Sequence, residues 1–201
     1  MRWSGALLHD VRLDGIAFRL RPVAPEDAAT IVHLRRDPSR SRFIQETPAS
    51  VEAQLRWLER YFERDGDYYW AVERISDGAT EGFLGIYDVD GDRAEWGRWV
   101  LRPASLAAAE SAWLVHEAGF GQLGLDSLIT RTLTENRAVV AFHERYGAEV
   151  VRTLHGHARI GDVSHDAVEA RMTKSRWATS GPGLRAVAER AASLARRSVA
   201  G

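Results

Sequence analysis

Three places in this sequence gather residue types that could do chemistry. The run "WVLRPASLAAAESAWLVHEAGF", Trp99 to Phe120, joins a strand-like segment to an amphipathic helix through Arg102-Pro103-Ala104-Ser105-Leu106-Ala107-Ala108. A turn that opens a helix offers free N–H groups and the positive end of the helix dipole, a setting for a phosphate or another anion. Glycine is the usual residue there, because it lets the backbone approach a ligand and tolerates unusual φ. This turn has none. Serine can replace it at Ser105 only where φ is ordinary, and its hydroxyl could then donate to a phosphate. Just upstream, "RAEWGRWVL" carries the carboxylate Glu95. Strand alternation puts Arg93, Glu95, Gly97 and Trp99 on one face and Ala94, Trp96, Arg98 and Val100 on the other. Farther on, His155 and His157 flank Gly156 and so point to one face, a spacing found in some metal sites. No Cys and no acidic partner at supporting spacing accompanies them, so no metal is expected.

The elements that must position these residues are readable from periodicity. "GIAFRLRPV" alternates Ile16, Phe18 and Leu20 against Ala17, Arg19 and Arg21, as a half-buried strand does. Pro25 opens a helix with Glu26 and Asp27 in its first turn and Ala28, Ile31 and Leu34 as its stripe; Asp37-Pro38 ends it. Ser50 caps a second helix with Val51, Leu55, Leu58 and Phe62 on one face. Three strands follow, "YYWAVERI", "EGFLGIYDV" and "RAEWGRWVL", separated at Asp77-Gly78 and Asp90-Gly91-Asp92, which favours an antiparallel meander. The helix with Leu106, Ala109, Trp113 and Phe120 on its stripe is ended by Gly121 and Gly124. "SLITRTL" is the next strand, Asn136 to Tyr146 a helix, and "EVVRTLHGHARI" with "HDAVEARMT" a closing hairpin around Gly161-Asp162. From Ser180, "SGPG" reads as a linker to an Ala/Arg-rich helix with Leu184, Val187, Ala191 and Leu194 on one side, expected to be a weakly held tail.

In the order β–α–α–β–β–β–α–β–α–β–β, the segments "LRPVAPEDAATIVHLRRDP", "RAEWGRWV", "GFGQLGLDSLITRTLTENRAVVAFHERYGAEVV" and "GHARIGDVSHDAV" resemble the GNAT (GCN5-related N-acetyltransferase) superfamily. The likeness is nearest its ribosomal-protein N-terminal and nucleotide amino-sugar branches. It spans about Phe18 to Met172. It implies an α+β, three-layer fold with a mixed, mostly antiparallel central sheet and helices on both faces. The implied division is an acyltransferase domain over residues 1–178, with a linker and terminal helix over 179–201.

The resemblance also implies acetyl-CoA as co-substrate, with its pyrophosphate on the strand-to-helix turn. The family pattern Gln/Arg-x-x-Gly-x-Gly/Ala is met here by Arg102-x-x-Ser105-x-Ala107. The cofactor-binding residues it points to are Trp99, Val100, Leu101, Ser105, Leu106, Ala107, Ala108, Ala109 and Asn136. Transfer to an amine needs a proton acceptor, an oxyanion donor and an acid for the departing thiolate. Glu95 matches a frequent catalytic carboxylate, with Asp88 as a weaker alternative; a salt bridge to Arg93 or Arg98 is the structural reading of the same residue. His143 stands where the family has a tyrosine acid, and histidine titrates near neutrality. Trp96, His157 and Asp166 are the acceptor-contacting candidates.

Bulk composition bounds the rest. The chain has 201 residues, a net charge of -1, 45% hydrophobic residues and no cysteine, so disulfides and thiolate chemistry are excluded. Near-neutral charge gives no general attraction to nucleic acid or membrane. No apolar run has the length of a membrane span and no secretory apolar region opens the chain, so cytoplasmic residence is the default expectation. The expected partner is a small-molecule amine, with an amino sugar, free or nucleotide-linked, ahead of a protein N-terminus, in a monomer or homodimer. The alternative is a non-catalytic binding or assembly protein of the same fold with a degenerate acyl-CoA site, motivated by the missing glycines and by His143.

Overall fold

The computed structural model describes residues 8–44 and 50–199. These form eight strands and six α-helices: β1 Leu13–Asp14, β2 Phe18–Pro22, α1 Ala28–Arg36, α2 Pro38–Ser41, α3 Val51–Tyr61, β3 Tyr68–Arg74, β4 Thr80–Asp90, β5 Arg93–Leu101, α4 Ala108–Glu117, β6 Ser127–Leu133, α5 Arg137–Arg145, β7 Glu149–Ile160, β8 Val163–Thr173 and α6 Lys174–Val199. One sheet in the order β1-β2-β3-β4-β5-β6-β8-β7 runs through them. Every neighbouring pair is antiparallel except β5 and β6, which are parallel. Helices cover both faces of this sheet. One core gathers α4 and α6 with Phe18, Leu20, Trp70, Leu84 and Ile86; the other gathers α1 and α3 with Tyr69, Ala71, Phe83 and Val100. This is the mixed, three-layer α+β architecture that the sequence leads one to expect.

Local chemistry sets most boundaries. Before α1, the Asp27 carboxylate accepts from the Ala24 N–H at 2.9 Å and from both terminal nitrogens of Arg21 at 2.8 Å. Ser50 Oγ accepts from the Ala53 N–H at 3.2 Å and caps α3. The apolar face of α3 is rotated from the expected one: Gln54, Leu58 and Tyr61 are buried, while Val51 is 36% exposed. Tyr61 turns inward because its hydroxyl accepts from the Tyr69 N–H at 2.9 Å.

The C-terminal segment departs most from expectation. "SGPG" is no linker: residues 180–183 lie inside α6, with Pro182 in the helix. A helix-interior proline forfeits an N–H and crowds the preceding turn, at about 3 kcal/mol. Burial offsets this, because Trp177, Leu184, Ala188, Ala192 and Ala195 all pack into the core that contains α4. The buried stripe is Leu184, Ala188, Ala192, Ala195, and Leu194 is 51% exposed. The buried side of α6 is mostly alanine, with Val187 partly buried against the same core. Residues 1 and 201, the outer bounds of the expected division, lie outside the described residues. No described helix is long and apolar enough to cross a membrane.

Candidate active site

Parallel strands β5 and β6 pair only over Arg93–Glu95 and Ser127–Ile129. Beyond that point β5 stays with β4 and β6 stays with β8, so the sheet opens into a wedge. A cavity of about 270 Å³ fills it, and Glu95, Trp96, Trp99, Val100, Asn136, His143 and His157 all reach its wall. Leu101, Ser105, Leu106, Ala107, Ala108, Ala109 and Asp166 do not line it.

The simple alternation expected along β5 fails at Arg98. Gly97 pairs with Gly85 and Val100 with Phe83, so Arg98 and Trp99 together face Leu84. Arg98 adopts a left-handed φ of +52°. This β-bulge shifts the side chains after it by one face. Trp99 therefore joins Trp96, with ring centroids 5.5 Å apart, instead of sharing the Glu95 face. Trp96 is only 2% exposed and contributes to the wedge floor, where it lines the cavity.

Glu95 is held from both sides. The Tyr87 hydroxyl donates to its Oε1 at 2.9 Å, and Arg131 Nη1 donates to Oε2. Its ion pair is thus with Arg131 on β6, and not with Arg93 or Arg98. Burial pushes its carboxyl above the ordinary carboxylate range, against the pull of Arg131 and Tyr87. A Cβ at Gly97 would stand 2.5 Å from the Tyr87 hydroxyl, so glycine at that point leaves room for this contact. Arg131 also binds Glu169 at 2.9 Å, and Glu169 binds Arg152 at the same distance.

His143 lies on the floor, 7% exposed, edge-on to Trp96 at 5.1 Å. Desolvation, with the neighbouring His116, lowers its pKa to about 3. The expectation of titration near neutrality is thereby overturned: the imidazole is neutral at pH 7, and can donate only through its single N–H. Asn136 is the N-cap residue of α5 but its side chain makes no cap bond, so its amide is available to the cavity.

The hairpin histidines do not share a face. Gly156, at φ +63°, forms an irregularity between Leu154 and Ala158. His155 turns to solvent and contacts Asp166 at 2.8 Å, whereas His157 reaches the cavity. Asp166 also accepts from the Gly156 N–H at 2.9 Å, so its carboxylate serves the hairpin rather than the cavity. Among the described residues, no group of three or more His, Asp or Glu could hold a metal.

At the glycine-free turn, the left-handed residue is Ala104, with φ +57°, and Ser105 is not among the left-handed residues. Ser105 is nevertheless not free for a phosphate. Its hydroxyl donates to Glu81 Oε2 at 2.6 Å and accepts from the Ala107 N–H at 3.2 Å. Glu81 is 4% exposed and also receives Arg74 Nη2. Ala107, the N-cap residue of α4, makes no side-chain cap bond, so the backbone N–H groups of the first turn are not capped by it. Glu110 in the first turn aims its carboxylate elsewhere, onto the N–H groups of Ile16, Ala17 and Phe18, the last two at 2.9 and 3.1 Å.

Several site residues escape sequence reasoning. Tyr87 was within reach of it, since a turn centred on Gly91 sets Tyr87 opposite Glu95. Arg131 was not, because its position depends on the register of a parallel pair whose strands are joined through α4. Arg35 and Arg98, which also line the cavity, carry no local signal.

The family model described as Acetyltransferase (GNAT) domain matches residues 18–149. An apo structure of FdhC, a nucleotide-linked sugar GNAT, superposes with a TM-score of 0.72 at 26% identity, covering 85% of this chain and 94% of that one. A GCN5-related N-acetyltransferase from Brucella melitensis gives 0.76 at 19% identity, over 89% and 85% of the two chains. A chimera of spermidine N-acetyltransferase SpeG from Vibrio cholerae and hSSAT gives 0.73 at 16%, over 81% and 98%. The last two identities bear on fold alone. No curated protein sequence matches the chain.

Proposed function

We propose, from the premise that this chain belongs to the GNAT acetyltransferase family, that it moves an acetyl group from acetyl-CoA to the primary amine of a small molecule by direct attack. The observation that carries this reading is the wedge between β5 and β6, where Glu95, Asn136 and His143 converge on one cavity. The acceptor amine enters beside Glu95, which takes up its proton; a carboxyl raised by burial is suited to that task. Nitrogen then bonds to the thioester carbon as the carbon–sulfur bond breaks. Backbone N–H groups of the β5 bulge meet the negative charge that develops on the thioester oxygen. The sulfur leaves as a thiolate, to which the neutral His143 can offer a hydrogen bond from its N–H but no proton, and the proton taken up by Glu95 passes to the sulfur through solvent. Asn136 and the first-turn N–H groups of α4 hold the CoA arm and its pyrophosphate.

An amino sugar, nucleotide-linked in one form, is the preferred acceptor, ahead of a protein N-terminus. The likeness to a nucleotide-linked sugar GNAT supports this. So does the cavity wall, whose one lining carboxylate, Glu95, is already paired with Arg131 and offers little to a polycationic acceptor. Thiol release from acetyl-CoA over a panel of amino sugars, their nucleotide conjugates and short peptides tests the reading; turnover of peptides alone would overturn the acceptor class. A non-catalytic binding role is the second reading, favoured by the commitment of Ser105 to Glu81. Calorimetry separates the two. No heat and no thermal shift at millimolar acetyl-CoA would sink the enzyme reading, whereas a hundredfold excess over Kd should add about 2.7 kcal/mol of stability.

A further inference from the structure

Arg98 occupies the bulge position at which glycine is the usual residue. An L side chain at a left-handed φ is strained. The compensation comes from outside the strand. Asp67, 6% exposed and just ahead of β3, accepts Arg98 Nη1 on Oδ1 at 2.5 Å and Nη2 on Oδ2 at 2.9 Å. The same guanidinium lies 4.2 Å from the ring centroid of Tyr87, 5.4 Å from that of Trp57 and 5.5 Å from that of Tyr69. A two-toothed ion pair clamped among three rings fixes the side chain, and the side chain fixes its own backbone.

The consequence falls on the wedge. Two residues, Arg98 and Trp99, share one partner in β4, and β6 has already parted from β5 after Glu95. At least one backbone group of the bulge is therefore left to face the cavity. Tyr87, under the guanidinium, is also the residue whose hydroxyl holds Glu95. We propose that Asp67 and Arg98 form a positioning lock, which sets the β5 bulge so that its N–H groups polarise the acyl carbonyl in the wedge. This inference rests on reading the wedge as the acyl-transfer site.

The test needs no acceptor. Acetyl-CoA labelled with ¹³C at the carbonyl is bound to the full chain, its affinity is measured by calorimetry, and its C=O stretch by isotope-edited infrared spectroscopy. Wild type should bind it and lower the stretch relative to free acetyl-CoA. Arg98→Ala should lose most of that downshift while Kd changes less than about threefold. Arg98→Gly, which tolerates the left-handed φ, should retain more of it than Arg98→Ala. Asp67→Asn removes the charge of the clamp at nearly unchanged size and serves as the second variant where Arg98→Ala does not fold; it too should lose part of the downshift. If both variants bind with the full wild-type downshift, the lock is overturned and the reading of the wedge stands. If wild type itself does not bind acetyl-CoA, both fall together.

Discussion

At residues 98 and 104, the backbone twice takes a φ that favours glycine, and twice the sequence supplies something else. The two are secured in different ways. Arg98 sits within a sheet, and its own side chain is tied to buried Asp67 and enclosed by aromatic rings. Ala104 sits on an exposed turn with no side chain to tie, so its neighbours carry the load: Ser105 is bound to Glu81, and Arg102 donates from Nε to the Thr80 carbonyl at 2.6 Å. The difference follows from what each must do. A bulge N–H aimed at a reacting carbonyl has to be right to a fraction of an ångström, whereas a helix N-terminus attracts an anion with several N–H groups at once. A rigid lock stands at the first and a flank-anchored turn suffices at the second.

The contrast breaks first if the strand side has no chemistry. Glu95→Gln should lower turnover by ~10²–10⁴-fold with acetyl-CoA affinity nearly unchanged; steady-state kinetics beside calorimetry checks this, and full turnover would reduce Glu95 to a structural ion pair with Arg131. Next in size is the lock itself. Asp67→Asn leaves the partly buried Arg98 cation without its charge partner, and urea unfolding should register a loss of about 3 kcal/mol.

The wedge floor also predicts an acid response. His143 and His116, with pKa values lowered by burial to about 3 and about 4 from 6.5, stay neutral in the fold while the unfolded chain takes up protons below pH 6.5. Stability is therefore fully present above that pH and is lost as pH falls towards the folded values, by about 1.4 kcal/mol per pH unit for each histidine. Denaturation at pH 7 and pH 5 should show this, with a shallower slope in His143→Phe. An unchanged slope would mean that His143 accepts its proton in the fold.

On the turn side the effects shrink. Ser105→Ala removes one partner of the buried Glu81 carboxylate and should cost about 1–3 kcal/mol in thermal or chemical unfolding; a neutral result would show that Arg74 alone satisfies Glu81. Smallest, and opposite in sign, Ala104→Gly should raise stability by about 1 kcal/mol, since glycine adopts φ +57° without strain. A loss instead would mean that the unfolded-state entropy of the new glycine outweighs the relieved strain.

What the sequence determined by itself is the part encoded over a few residues. Alternation in "GIAFRLRPV", the Asp-Gly turns, the Ser50 cap and the Gly161-Asp162 hairpin each depend on neighbours within a turn or a strand pair, and each is found in the structure. The placement of Glu95, Asn136 and His143 around one cavity was legible only through family likeness, since those residues lie on three different elements. Tertiary structure alone decided the rest. The parting of β5 from β6, the Arg131 contact to Glu95 and the neutral state of His143 all arise from contacts between segments far apart in the chain. So do the inward alanines of α6, which prevail over a proline and two glycines that locally favour a break. Hydrogen-bonding patterns and dihedral preferences are local and show in residue spacing; desolvation and close packing depend on which distant surfaces meet, and only the folded chain specifies those.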